Sequence, residues 1–320
     1  MKVLELISNI SSTNTNYNLF SYIFMYIVTE VQHVTFQKCY LNDEIFAELA
    51  SGFRNLRHLK SLILPYNMLT STSVSLVIAT YASSTRRLEV IDFRDNAGVS
   101  DDDGRRLFVN FGAYILDLHG IHIQDIKKKR DPILDLSDHR IRGPETSILC
   151  GLLDSLGNLV LELNISKNLI GPKALVQLAK QLKKMRYLVT INLGFNPLMG
   201  LQGNDITGIT ELKKTTRNSS HIISLNLIAT RIPPGDLSTI NGSLEVNRTL
   251  SAGAGGSGLF DRYITGQLVK RAPPMPENHL DSWKPKFEVD VVFSKLNRIS
   301  MRECIVDPTD PDNEIQMKLV

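Results

Sequence analysis

The residues best suited to acid–base work or metal ligation near neutral pH are seven histidines: His33, His58, His119, His122, His139, His221 and His279. His119 and His122 stand three apart, but the H-E-x-x-H spacing that presents two zinc ligands and a base on one helical face is absent. Cys39, Cys150 and Cys304 are widely separated and odd in number. They suit a reducing compartment and form neither a disulfide framework nor a metal set. No serine or cysteine sits in a nucleophile-elbow context. The run Asp101-Asp102-Asp103 could ligate a hard cation, yet no second acidic cluster completes an oxygen shell. Directly after Ser100, these residues read as an N-cap and dipole-matched acids opening a helix. The glycine-rich run at 251–258 would cradle phosphate only with a strand before it and Lys-Ser/Thr opening a helix after it. Leu259-Phe260-Asp261 follows instead. The expectation is a chain with no catalytic, cofactor-binding or metal-binding residues.

What must position any remaining chemistry is a repeat. The pattern Val31-x-x-Val34-x-Phe36-x-x-Cys39-x-Leu41 returns from Leu59 to Leu69, Leu88 to Asn96, Val160 to Ile170, Leu188 to Leu198 and Ile222 to Ile232. Val34 to Leu62 is 28 residues, Leu62 to Ile91 is 29, and Leu163 to Ile191 is 28. A fixed apolar pattern at a fixed period means stacked units that share one core. Positions one, four and six of each copy point inward from a short strand. Position nine holds Cys39, Asn67, Asn96, Asn168 and Asn196. It is expected to turn inward and satisfy backbone groups between coils. Thr230 departs from that pattern, and His139 stands in as a satisfied turn histidine. Apolar spacing predicts a helix from Asp43 to Leu56 and another from Pro172 to Met185.

The period and the L-x-x-L-x-L-x-x-N/C-x-L core resemble the ribonuclease-inhibitor-like class of leucine-rich repeat, over roughly residues 31 to 250. The resemblance implies an α/β leucine-rich-repeat solenoid: a curved horseshoe with parallel strands on the concave face and helices on the convex face. Its N-terminal cap would occupy residues 1–30, where Leu19–Val28 is too short to span a bilayer and lacks signal-peptide flanks. An irregular segment covers 111–142, because Ile91 to Leu134 is 43 residues. This segment divides into strands near Ile115–Leu118 and Ile133–Leu136, with Lys127-Lys128-Lys129-Arg130 in place of a helix. That basic tetrad reads as a solvated convex-side loop rather than a targeting signal. Ile191 to Leu225 spans 34 residues, so the connection over 202–220 is long. Residues 251–258 form a linker. Residues 259–320, with six prolines, Trp283 and a strand-like Phe287–Phe293, form an extended tail.

Positions three, five, seven and eight face away from the core into the concavity. Position five runs Thr35, Ile63, Asp92, Asp117, Asp135, Asn164, Asn192, Asn226, and neighbouring columns add Arg94, Asp95, Asp138, Glu162 and Lys167. Tyr66 and Phe195 supply aromatic anchors. The protein-binding set is therefore Tyr66, Asp92, Arg94, Asp95, Asp117, Asp135, Asp138, Glu162, Asn164, Lys167, Asn192, Phe195 and Asn226. An acidic centre implies a basic segment on a protein partner. A net charge of +3 with 22% charged residues argues for neither nucleic acid nor membrane. The expected role is a non-catalytic scaffold, a cytoplasmic subunit of a larger hetero-assembly of the cytoskeletal or axonemal type that the resemblance implies. The alternative is a GTPase regulator similar to the Ran GTPase-activating protein, although the long acidic tail of that family is missing. A ribonuclease-inhibitor role would need many more cysteines.

Overall fold

The computed structural model describes residues 3–7 and 31–253, apart from 54, 83, 85 and 86. The expected cap element at 19–28, residues 254–258 of the glycine-rich run, and the whole tail with Trp283 and Phe287–Phe293 lie outside the described residues.

Among the described residues there are nine short parallel strands, and from β2 onward they alternate with helices. The strands are β1 (Val3–Ile7), β2 (His33–Gln37), β3 (Ser61–Ile63), β4 (Val90–Asp92), β5 (Asp117–Leu118), β6 (Ile133–Asp135), β7 (Glu162–Asn164), β8 (Thr190–Asn192) and β9 (Ser224–Asn226). The helices are α1 (Asp43–Phe53), α2 (Ser71–Tyr81), α3 (Asp101–Phe111), α4 (Ile123–Lys129), α5 (Gly143–Leu156), α6 (Pro172–Leu182), α7 (Thr207–Asn218) and α8 (Pro234–Gly253). Strands β1–β5 make one sheet and β6–β9 a second, each in sequence order. Register follows the repeat: Val34 pairs with Leu62 and Leu62 with Ile91, while Leu134 pairs with Leu163, Leu163 with Ile191 and Ile191 with Leu225. This is a leucine-rich-repeat α/β solenoid. One strand was not foreseen, since β1 pairs in register with β2, Leu4 opposite Val34 and Leu6 opposite Phe36.

Positions one, four and six are buried throughout, Leu59, Leu62 and Leu64 among them. The helices close each coil from the other side. In α1, Phe46, Leu49, Ala50 and Phe53 are buried, the three- and four-residue spacing of one helical face. In α6, Ala174, Leu175, Leu178, Ala179 and Leu182 do the same, after Pro172 in the first turn. Ser100 caps α3 in a reciprocal capping box with Asp103. Asp103 also accepts from the hydroxyl of Ser71 on α2, so part of the Asp101–Asp103 run ties neighbouring helices together.

The position-nine side chains form a ladder between coils. Asn67 Oδ1 accepts from the amides of Cys39 (2.9 Å) and Leu41 (3.3 Å), and its Nδ2 donates to Phe36 O (2.8 Å) and Leu64 O (3.1 Å). Asn96 does the same for Asn67 N and Leu69 N, and Asn168 for His139 N and Ile141 N. Asn196 donates to Ile165 O and Leu193 O. Thr230, lacking an amide, makes one bond of this kind, from its hydroxyl to Leu227 O. His139 Nδ1 bonds Ser137 O. Each amide meets donors and acceptors that burial would otherwise leave unpaired.

The expected irregular segment differs in two ways. The basic tetrad does not replace a helix: Lys127, Lys128 and Lys129 form the last turn of α4, and Arg130 caps it in a left-handed conformation. In addition, β5 begins at Asp117, with Leu116 exposed. The unit is too short for a full helix layer, so α3 packs directly on α5 past α4. Glycines permit that approach. A Cβ at Gly104 would overlap the Pro144 carbonyl, one at Gly143 the Asp101 carboxylate, and one at Gly151 the Phe108 ring.

At the same place the asparagine ladder is interrupted and His119 substitutes for it. Its Nε2 accepts from Phe93 N (3.3 Å), which requires the proton on Nδ1, and Nδ1 donates to Glu145 Oε1 (2.8 Å). Both side chains are essentially inaccessible. Glu145 Oε2 accepts from Arg142 N at the start of α5 (2.9 Å). Burial opposes ionisation of Glu145, but the hydrogen bonds from His119 Nδ1 and the backbone amides outweigh it and hold its carboxyl below the usual range. The apolar core falls into two clusters on either side, and Ile126 and Leu156 pack against both. No helix among the described residues is long and apolar enough to cross a membrane.

Candidate protein-binding face

The position-five column has a local structural job. Asp92, Asp135, Asn164, Asn192 and Asn226 each accept, through Oδ1, from the amide two residues on: Arg94, Ser137, Ser166, Gly194 and Ile228, at 2.9–3.2 Å. A short side-chain carbonyl or carboxylate bonding the backbone two residues downstream is an Asx turn, and it starts the bend that ends each strand. The repetition of Asp and Asn in this column is thus explained by the turn. Asp92, Glu162, Asn164 and Asn192 are buried, and Asn226 is half-buried. Asp117 was assigned to this column two residues out of register. It lies opposite Val90, in column three, and buried His119 occupies column five.

The acidic centre is matched internally. Asp92 and Arg94 form a two-pronged pair, Nε to Oδ1 at 3.0 Å and Nη2 to Oδ2 at 2.7 Å. Burial resists charging Asp92, but bonds and charge from Arg94 hold its carboxyl below the usual range. Asp95 receives Arg142 at 2.8 Å and Arg140 at 3.4 Å. Asp117 accepts from Gly120 N at 2.8 Å and meets His122 at 2.8 Å. Arg140 also lies over the Tyr66 ring, 5.5 Å from its centroid, and Lys38 lies 5.4 Å from it. The centre is therefore a mixed-charge lattice rather than an acidic trough. Asp135, Asp138, Arg140 and Lys167 are among its exposed members.

At position eight of the predicted set, Asp138, Lys167 and Phe195 are exposed, while Tyr66 and Asp95 are half-buried. Lys38, Tyr66, Asp95, Asp138, Lys167, Phe195 and Ala229 all have φ between 54° and 61°. This left-handed step turns position nine into the core and throws position eight outward along the loop edge. A non-glycine residue there costs roughly 1–2 kcal/mol, so the conformation persists because the neighbouring asparagine bonds overdetermine it. Phe195 is 46% exposed, and Tyr40, Met68 and Leu169 at position ten are exposed on the same edge.

Beside Phe195 the long connection between β8 and α7 opens two shallow cavities. One of about 340 Å³ is lined by Phe195, Pro197, Gly200, Leu201, Ala229 and Arg231. Another of about 520 Å³ is lined by Arg142, Leu169, Pro172, Met199, Leu201 and Asp205, among others. Sequence reading named Phe195 but missed these cavities. The signal was the 34-residue interval from Ile191 to Leu225, whose extra residues lie before α7 as a loop. The combination of an exposed aromatic, apolar recesses and a mixed-charge surround suits contact with another polypeptide. Among the described residues, no group of three or more histidine, cysteine, aspartate or glutamate side chains is arranged to hold a metal ion.

No protein-family model matches the chain, and neither does any curated protein. Among solved structures the chain is similar to the tropomodulin C-terminal domain of Caenorhabditis elegans, at 10% identity over 74% of this chain and 95% of that chain, with a TM-score of 0.29. It is similar to leiomodin-1 actin-binding site 2, at 10% identity over 81% and 98%, with a TM-score of 0.27. The leucine-rich-repeat-containing protein LegL7 from Legionella pneumophila matches at 17% identity over 71% and 94%, with a TM-score of 0.28. The leucine-rich-repeat assignment of this chain rests on its own strand register and asparagine ladder.

Proposed function

We propose that this chain is a non-catalytic protein–protein interaction scaffold of the ribonuclease-inhibitor-like repeat class. In this reading it serves as a cytoplasmic subunit of a larger assembly, of the cytoskeletal type that the repeat resemblance implies. The repeat interval of 28–29 residues supports the class. The observation that carries the interaction reading is the outward row at position eight, with Phe195 exposed beside the two apolar recesses. The partner contacts that loop edge and the adjoining strand face, with Tyr66 and Phe195 as anchors and Asp135, Asp138 and Lys167 as the polar surround. Buried Asp92, Glu162, Asn164 and Asn192 serve the fold. The GTPase-regulating alternative gains no support, since Asp92 and Arg94 hold each other within the chain.

The test is affinity purification of the full chain from its native source, mass spectrometry of co-eluting proteins, and cross-linking of each. Cross-links near Phe195 and Tyr66, with capture lost on Phe195→Asp, support the reading. Partners that cross-link only to the convex helices, with capture unchanged in Phe195→Asp, overturn it.

A further inference from the structure

Because the strands are parallel and in register, every connection from a helix end to the next strand returns to one edge of the solenoid. Contacts between successive connections bear this out: Lys60 pairs with Glu89 at 2.9 Å, Arg87 lies over the Tyr114 ring, and Lys127 donates to Gly112 O at 2.7 Å. Among the described residues, segments 55–60, 87–89, 112–116, 127–132, 154–161, 180–189 and 214–223 carry thirteen lysines and arginines against three acids. The opposite edge runs from strand ends into helix first turns, over 38–45, 66–72, 93–103, 119–125, 136–145, 165–173, 193–207 and 227–237. It carries eleven acids against seven bases. A chain with a net charge of only +3 is thus strongly polarised between its two edges.

Helix dipoles account for part of this, since cations are favoured at helix C-termini. They do not account for Arg57, Arg87 and Arg186, which lie beyond the helices. The two edges also differ in pairing. Acids of the helix-start edge are built into the fold: Asp43 accepts from Thr70 N and the Ser73 hydroxyl, Asp103 from Ser100 N, and Glu145 from His119. On the helix-end edge, Arg57, Lys128, Lys129, Lys183, Lys184 and Arg217 are exposed and make no ion pair among the described residues.

We infer that the helix-end edge is a second interaction surface, separate from the Phe195 edge, and that it binds an acidic, extended polypeptide segment. Cations placed at intervals along successive coils suit a linear polyanion that crosses several units. A lipid surface would also need several apolar side chains to insert; of the exposed large apolar residues these segments carry Leu116 alone, whereas Tyr40, Met68, Leu169, Phe195 and Leu201 are exposed on the other edge. Single-stranded nucleic acid would need open aromatic platforms, whereas the Tyr114 and Phe108 rings on this side are covered by Arg87 and Lys127.

Fluorescence anisotropy with the full chain tests this. The probe is a labelled Glu-Ser repeat peptide of about 15 residues, long enough at ~3.3 Å per residue to pass several helices spaced 8–10 Å apart. Saturable binding that weakens with salt is expected, because exposed charges are screened beyond about 10 Å at 0.1 M. Lys128→Glu/Lys129→Glu and, separately, Lys183→Gln/Lys184→Gln should each weaken it about tenfold or more. Lys167→Glu/Lys173→Glu on the opposite edge should leave it unchanged. Circular dichroism confirms that each variant is folded, and the neutral Gln pair keeps the test valid should charge reversal disturb α4. No saturable binding, equal loss in the control pair, or tighter binding of single- or double-stranded DNA or phosphatidylserine vesicles than of the peptide would each overturn the proposal.

Discussion

Asn168 shows what one side chain contributes in this architecture. Its amide joins the amides of His139 and Ile141 on one coil to the carbonyls of Leu136 and Ile165, all buried except the partly buried His139 bond. Removing it strands donors and acceptors that water cannot reach, each costing about 1–3 kcal/mol. Asn168→Ala is therefore expected to destabilise the chain by about 3 kcal/mol or more, read as a fall in the urea midpoint. A loss below 1 kcal/mol would mean that the ladder is not a principal tie between coils. Phe195 presents the opposite case, since its ring is outside and its backbone is left-handed. Phe195→Gly relieves the positive φ but adds unfolded-state entropy of about 0.5–1 kcal/mol. Thermal stability should change little while partner capture falls, separating binding from folding. Asp92 links charge to stability. Its folded pKa lies below the usual value, so it adds stability above its unfolded pKa of about 4 and loses it as pH falls through the lower folded value. Asp92→Asn should flatten the acid limb of a stability–pH curve below about pH 4, compared by urea titration at each pH. An unchanged limb would show that the Asp92–Arg94 pair is not coupled to folding.

Among the elements, the contact of α3 with α5 is the most exacting. The short unit holding β5 and α4 leaves no spacer between them, and Gly104 meets the Pro144 carbonyl without room for a methyl group. Backbone on the far side cannot rotate away as a side chain could. Gly104→Ala should destabilise by at least about 1–3 kcal/mol, the usual cost of overpacking, outweighing the helix propensity that alanine gains. A calorimetric melt in which Gly104→Ala raises Tm would show that the helices separate freely. Several elements were legible from pattern alone. The helices at 43–53 and 172–182 follow the apolar spacing, and Ser100 with Asp103 caps as their order suggests. Strand β1 was also legible: Met1-x-x-Leu4-x-Leu6-x-x-Asn9 carries the repeat. It was passed over because the more apolar stretch at 19–28 drew the reading toward a cap. The α4 helix was hidden because four consecutive cations read as loop, whereas in a helix they extend past the C-terminal carbonyls that favour them.

On the scale of the whole molecule, the sheet divides between β5 and β6 while the helix layer continues. In a stacked repeat, each unit is stabilised by its neighbours alone, so a weak junction separates the stack into parts. His119 and Glu145 hold this junction, with Ile126 and Leu156 bridging the two apolar clusters. His119→Ala should leave the Glu145 carboxylate buried without its partner and Phe93 N without its acceptor. Hydrogen exchange followed by mass spectrometry should then show amide protection at β3–β4 and at β7–β8 failing at different urea concentrations. Loss of protection at one common midpoint would place the seam's strength elsewhere. The division of charge between helix-start and helix-end edges also belongs to this scale. It exists only because the seven described connections from helix end to next strand return to the same side.

Periodicity alone determined the coil, its inward leucines and its position-nine asparagines, because backbone groups between stacked coils require an amide of that size at that place. Composition and spacing also indicated Phe195 and Tyr66 as outward aromatics. Tertiary structure decided which of the remaining polar residues face water. Asp92, Asn164 and Asn192 looked like a ligand-facing column, yet each bonds the backbone two residues on, a contact set by φ and ψ rather than by residue type. Whether Asp95 stands alone or meets Arg140 and Arg142 depends on the shortened unit between them, which brings residues more than forty positions apart in the chain within ion-pairing distance.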